Sequence, residues 1–169
     1  MKTIRVDKLR VAIALMAGGA ILGGCATHDA RKAEAAKEYC AEKYADPRLA
    51  PLKDKIVMPI SVDEPQPIDI LANKTRPTEQ ERAAIKVLAD IRAECNARLA
   101  RDVSPPPAYR VRSQDEISSE LADLYAGDIT YGQFAKSLLY IGDRDKAARE
   151  DVDQAIQQRD RWRVVDIYN

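Results

Sequence analysis

Apolar positions fall into one continuous run near the start of the chain and several periodic stretches after it. The run, residues 11–22, is about 12 residues long, short of the roughly 20 that span a bilayer. Over residues 31–45, Ala33, Ala36, Cys40 and Tyr44 lie near helical spacing, which predicts a first helix that Pro47 ends. Pro47, Pro51, Pro59, Pro65, Pro67 and Pro77 then dictate a mostly extended segment over 46–77, with short turns at 49–55 and 68–73. Within it, "VMPISVDEP" fits a strand only at a sheet edge, because its prolines cannot donate to a ladder. An extended segment of this length is expected to pack on the helices or to carry function.

Three further helices have legible starts. "PTEQE" places Thr78 three residues before Glu81, a capping box in which each side chain satisfies the other residue's backbone donor. Ala84, Leu88, Ile91, Cys95 and Leu99 form the apolar stripe that follows, and the helix is expected to run to about Arg101. "SPPPAY", within a linker over 102–112, reads as a stiff polyproline-type connector. Ser113 and Glu116 make a second capping box before the stripe Ile117, Leu121 and Leu124, and Gly127 is placed to end that helix. In "DITYGQF", Thr130 and Gln133 make a third box. Phe134, Leu138 and Ile141 then face inward, with Ile129 plugging the corner of a tight hairpin.

Continuing that stripe brings in Asp145, Ala148, Val152, Ala155, Arg159 and Trp162, too polar for a good coiled coil. An unbroken helix over 131–165 would be about 50 Å long at 1.5 Å per residue, while a domain of this size has a radius of gyration near 15 Å. Either the helix breaks at Gly142–Asp143, or its end projects; the projecting end is favoured. "RWRVVDIY" is then an exposed tip, unless Trp162, Val164 and Ile167 fold back onto the core. The expected fold is mainly α: about four helices and a Pro-rich extended segment. It is organised as 32–101 (a helical pair with the Pro-rich insert), the linker 102–112 and 113–169 (a hairpin with a long last helix).

The apolar run gains meaning from its flanks. Lys2, Arg5, Lys8 and Arg10 precede it, offset by Asp7, and Gly18, Gly19, Gly23 and Gly24 weaken it as a helix. A basic start, a short apolar middle and small residues before a break describe an export signal over 1–24. "LGGC", Leu22 to Cys25, resembles the lipobox of bacterial lipoproteins. The resemblance implies cleavage before Cys25, acylation of Cys25 and a lipidated tether over 25–31. Ala26 rather than Asp at the next position implies transfer to the outer membrane, facing the periplasm. Three acyl chains, at about 0.8 kcal/mol per buried methylene, make such an anchor effectively permanent.

Composition narrows the rest. With residues 1–24 removed, 23 Lys and Arg face 26 Asp and Glu, a net charge of −3. No segment concentrates basic residues, so nucleic acid is not an expected partner. Aromatics make up 5% of the chain, so the core must be mainly Ala, Leu, Ile and Val, which suits helix-on-helix packing. Setting Cys25 aside leaves Cys40 and Cys95, the even count expected of a disulfide in an exported chain. Two separate buried thiols are the alternative. A metal site is not expected, since two cysteines and one histidine cannot complete a four-ligand set.

Candidate chemistry is sparse. The sole histidine, His28, lies beside Cys25, which excludes histidine-based triads. Asp143/Asp145 and Asp151/Asp153 stand two apart on a helix and read as solvated surface. No phosphate loop or nucleophile elbow is present, and neither catalytic residues nor a cofactor are expected. "LADLYAGDITYGQFAKSLL", residues 121–139, is similar to the SHOCT motif, the short C-terminal domain of many bacterial proteins. Leu121, Leu124, Gly127, Ile129, Thr130, Phe134, Leu138 and Leu139 match. The stretch departs in being one residue shorter before the glycine, in Gln133 and Ser137, and in lying inside the chain. The resemblance implies a small interaction or oligomerisation module. Phe134, Leu138 and Trp162 are then the candidate contact residues, toward an envelope protein or a second copy. The function expected is that of a non-catalytic scaffold lipoprotein. A peptidoglycan- or small-ligand-binding module is the alternative, and a hydrolase built on two distant carboxylates is the least favoured.

Overall fold

The computed structural model describes the backbone of residues 24–102 and 106–167, and the side chains of 30–101, 106–159 and 161. Residues 1–23, which hold all but the last residue of the expected export signal and the first two residues of "LGGC", lie outside this set. Among the described residues the chain is mainly helical and has no strand. The elements are α1 (Gly24–Tyr44), a 3-10 turn (Pro47–Leu52), α2 (Ile68–Leu71), α3 (Glu79–Asp102), α4 (Ala108–Ala126) and α5 (Tyr131–Ile167). The centre is α3, which packs against α1, the 3-10 turn and α4; α5 packs against α4 and α2.

The apolar stripe of α3 is buried from Ala84 to Cys95 as its spacing predicts, with Ala84 at 3%, Leu88 at 0% and Cys95 at 3% exposure, while Leu99 at its end is half-buried. A second column, Glu81, Ile85 and Arg92, is buried beside it. The Pro-rich segment joins the core through Leu49, Leu52, Ile56, Ile60 and Ile70. It turns at 47–52 and 68–71, as read, and pairs with no strand, so the edge-strand expectation for "VMPISVDEP" fails. A strand needs a neighbouring ladder, and this segment instead lies against helices. Asp46 caps the 3-10 turn by accepting from the Arg48 N–H at 2.9 Å, and the Arg48 guanidinium holds its carboxyl down to about 2.

Cys40 and Cys95 form a disulfide that joins α1 to α3, with their Cα atoms 5.7 Å apart. The same pair of helices shares a polar seam. Tyr39 donates to Glu94, Lys43 pairs with Glu94 at 3.4 Å, and the Arg98 guanidinium lies 4.2 Å from the Tyr39 ring centroid. α1 begins at Gly24, so the stretch read as a tether, 25–31, is helical. Nothing between Ala26 and Ala36 is Gly or Pro, so nothing stops the helix from propagating toward its N-terminus.

Two of the three capping boxes form. Thr78 N–H donates to Glu81 at 2.8 Å, and Glu81 N–H to the Thr78 hydroxyl at 3.4 Å. Thr130 and Gln133 do the same at 2.8 and 3.2 Å. The Ser113–Glu116 box does not form, because α4 starts at Ala108, after Pro107. Proline fixes a φ suited to entering a helix, and the Arg110 and Val111 N–H groups already bond Pro107 O. Ser113 is therefore interior and buried. Its hydroxyl sits 3.0 Å from Tyr109 O and also contacts Asp145. Gly127, at φ 82°, ends α4 with the paired bonds of a Schellman motif, and Ile129 packs into the corner beside it.

α5 runs unbroken through Gly142. Two glycines on it, ten residues apart, admit the Pro-rich segment against the helix backbone. A Cβ on Gly142 would lie 2.3 Å from Val62 O, and one on Gly132 would lie 2.6 Å from both Leu71 O and Asn73 O. Gly132 N–H also donates to Asn73 O at 2.8 Å. The segment thus descends antiparallel to α5, seated where side chains are missing.

Glu81 is 7% exposed and pairs with Lys55, whose ammonium also lies 5.2 Å from the Tyr131 ring centroid. Burial pushes the Glu81 carboxyl up. The Lys55 ammonium and the bonds with Thr78 outweigh this and leave it below its ordinary 4.5. A carboxyl lowered in the folded state adds stability above that value and loses it as pH falls through the folded pKa. Glu81→Gln keeps a capping oxygen but loses the charge. Wild type is expected to exceed it in stability near pH 7, with the gap closing below pH 4.5 in urea titrations across pH. A gap constant down to about pH 3 would refute the ion-pair assignment.

Candidate functional site

Two ends of the molecule stand clear of the core. At one end, Cys25 is the second residue of α1; its backbone is helical and its side chain lies outside the described residues. Among the described side chains of α1, the first that is buried is Ala36. Eleven residues of helix at 1.5 Å each put about 16 Å between Cys25 and the core.

At the other end is the second half of α5. The 37-residue helix is about 55 Å long. Its inner half is held by Tyr131, Phe134, Ala135, Leu138 and Ile141, each 3% exposed or less. From Glu150 to Arg159 every residue is exposed. Val152 and Ile156, one turn apart, are 45% and 43% exposed. An apolar pair at i, i+4 shares a helix face. Phe134 and Leu138, at 1% and 2% exposure, use their side chains on the core and present no surface. The backbone of Trp162 continues α5, and its side chain is outside the described set.

A polar clamp fixes the point where α5 leaves the body. Asp145, read from sequence as solvated, is 2% exposed, whereas Asp143 beside it is exposed. The two point to different faces, and the Asp145 face meets α4. There Ser113 bonds one carboxylate oxygen, and the Arg110 guanidinium lies 3.9 Å from the other. Asp63, on the Pro-rich segment, pairs with Arg110 of α4 and Arg149 of α5, both at 3.1 Å. Burial pushes the Asp63 carboxyl up, but these two guanidiniums hold it below the usual carboxylate range. Arg144 pairs with Glu116 on the outer side. Three elements are thereby tied together one turn before the exposed half begins.

This arrangement positions α5 against α4 and the Pro-rich segment. The Ser113 hydroxyl is buried and held by the Asp145 carboxylate and the Tyr109 carbonyl. Among the described residues, no group of three or more His, Cys, Asp and Glu could hold a metal ion, and no helix is long and apolar enough to cross a membrane.

Two of these features carried a weak sequence signal. Val152 continues the stripe, and Ile156 lies one turn on. Asp145 also fell on the stripe, but its i, i+2 partner Asp143 suggested solvent. Comparison with family models, curated proteins and solved structures gave no match to this chain.

Proposed function

We propose that this chain is a periplasm-facing lipoprotein of the outer membrane, anchored by acylated Cys25, that acts as a non-catalytic scaffold. The exposed half of α5 engages an envelope protein or a second copy. The observation that carries the reading is this half-helix, with Val152 and Ile156 outward and every described side chain from Glu150 to Arg159 exposed. Apolar side chains on a helix without a packing partner are what helix-in-groove recognition uses as anchors. The "LGGC" sequence supports the address. The Cys40–Cys95 disulfide supports an oxidising compartment.

A photoreactive residue placed at Val152 or at Ile156 in cells tests the mode of action. A discrete crosslinked species is expected from both positions and none from exposed Ser118 on α4. No crosslink from either α5 position, or equal crosslinking from Ser118, would refute the scaffold reading. The address is tested separately with Cys25→Ser. Loss of palmitate incorporation and release from the membrane fraction are expected; unchanged membrane recovery would count against the anchor.

A further inference from the structure

Between α1, α3 and the Pro-rich segment lies a cavity of about 570 Å³. Ligand pockets run roughly 300–1,000 Å³. Its inner wall is the Cys40–Cys95 bridge, and Tyr44, Met58, Ile60 and Leu99 give it an apolar body. Three other lining residues are polar: Arg92, Lys37 and Asn96. Among the described residues no carboxylate lines it.

Arg92 is the unusual member. It is 6% exposed, and its one hydrogen bond is from Nη1 to Ile60 O at 3.3 Å. Its Nε is buried with no acceptor. Among the described residues no carboxylate is in salt-bridge contact with it, although Arg48, Arg110, Arg144 and Arg149 all have one. Burial accordingly pushes the Arg92 guanidinium below its ordinary range. A buried cation without a counter-charge costs several kcal/mol in general. A guanidinium with one arm on a carbonyl keeps further N–H donors in a planar fork that matches an oxyanion, and Arg92 lines the cavity, its unpaired Nε lying beneath the surface.

We infer that this cavity is a binding site for a small organic carboxylate with an apolar body, its anionic group on Arg92 and its body against Tyr44, Met58 and Leu99. Lys37, at the cavity rim on α1, adds a second positive charge. The ligand neutralises Arg92 where the fold does not. Its described lining comes from α1, α3 and the Pro-rich segment and includes no residue of α5, so it stands or falls independently of the scaffold reading.

The test uses the full chain in an uncharged detergent and 4-benzoylbenzoate as photoreactive probe, with labelled peptides mapped by mass spectrometry. Saturable labelling is expected at the peptides carrying Tyr44, Met58 or Leu99, competed by octanoate. Neutral benzophenone is expected to label them at least tenfold less. Arg92→Met should cut the labelling at least tenfold while far-UV circular dichroism and the disulfide are retained. Ala41→Trp, an exposed cavity-edge residue filled with a large ring, should do the same with Arg92 intact, and it remains informative if Arg92→Met fails to fold. Equal labelling by the charged and neutral probes, labelling scattered over the chain, or full labelling in folded Arg92→Met or Ala41→Trp would overturn the assignment.

Discussion

Replacing Cys40 and Cys95 together by alanine is expected to lower the unfolding free energy by up to about 4 kcal/mol. The bridge spans a sequence separation of 55 residues. A cross-link of that span removes much of the freedom of the unfolded chain, and the loop-entropy relation puts its contribution near that figure. The effect should exceed that of any single surface contact, because the bridge joins α1 to the central helix α3. Apart from it, α1 is held mainly by one buried face and an exposed polar seam, and exposed ion pairs contribute at most about 1 kcal/mol. The check is urea denaturation with and without reductant. Reductant should move the wild-type midpoint down to that of the double variant and leave the variant unchanged. A wild-type midpoint insensitive to reductant, with the bridge verified as reduced, would remove the disulfide from the account of stability.

The second large effect runs against local propensity. In an open helix, Gly→Ala stabilises by about 1 kcal/mol. At Gly142 the same change is expected to destabilise by about 1–3 kcal/mol, the usual range for overpacking. The added methyl would meet Val62 O at 2.3 Å, and a backbone carbonyl cannot rotate away as a side chain can. Either the Pro-rich segment lifts or α5 shifts. Lifting it strains the seat of Asp63, which binds α4 and α5 from the next position. Gly132→Ala should behave likewise, since its methyl would meet two carbonyls. Thermal unfolding of both variants decides the matter. An unfolding midpoint raised by either substitution would mean that the close approach does not exist at that position.

Much of this fold is legible in the sequence where the determinants are local. The stripe of α3, the Thr78–Glu81 and Thr130–Gln133 boxes and the stop at Gly127 each depend on residues within one or two turns, and each appears. The misreadings share a cause, in that the deciding partner is far away along the chain. Ser113 looks like a cap until Asp145, 32 residues on, occupies its hydroxyl, and the helix starts earlier behind Pro107. Gly142 invites a helix break until Val62 is seen against it. Asp145 looks solvated until α4 covers it.

Arg92 carries a local signal as well. It lies four residues after Leu88 and three before Cys95, inside the buried face. A charged residue in that register marks either a buried pair or a vacancy for a ligand. Phe134 and Leu138 show the converse. Their pattern announces the core, and a contact role assigned through resemblance to a module does not alter where their side chains go.

The bridge also sets a load path. Tension between a membrane anchor at Cys25 and a partner on α5 would travel up α1 to Cys40, cross the sulfurs to Cys95, and continue through α3 and α4. Residues 41–94, nearly a third of the chain, would lie outside that covalent path, coupled to it only by non-covalent contacts. The 3-10 turn, α2 and the Pro-rich segment all belong to that loop. Reduction of one bond would put them in series, so the redox state of the compartment would determine which parts of the domain can be pulled apart.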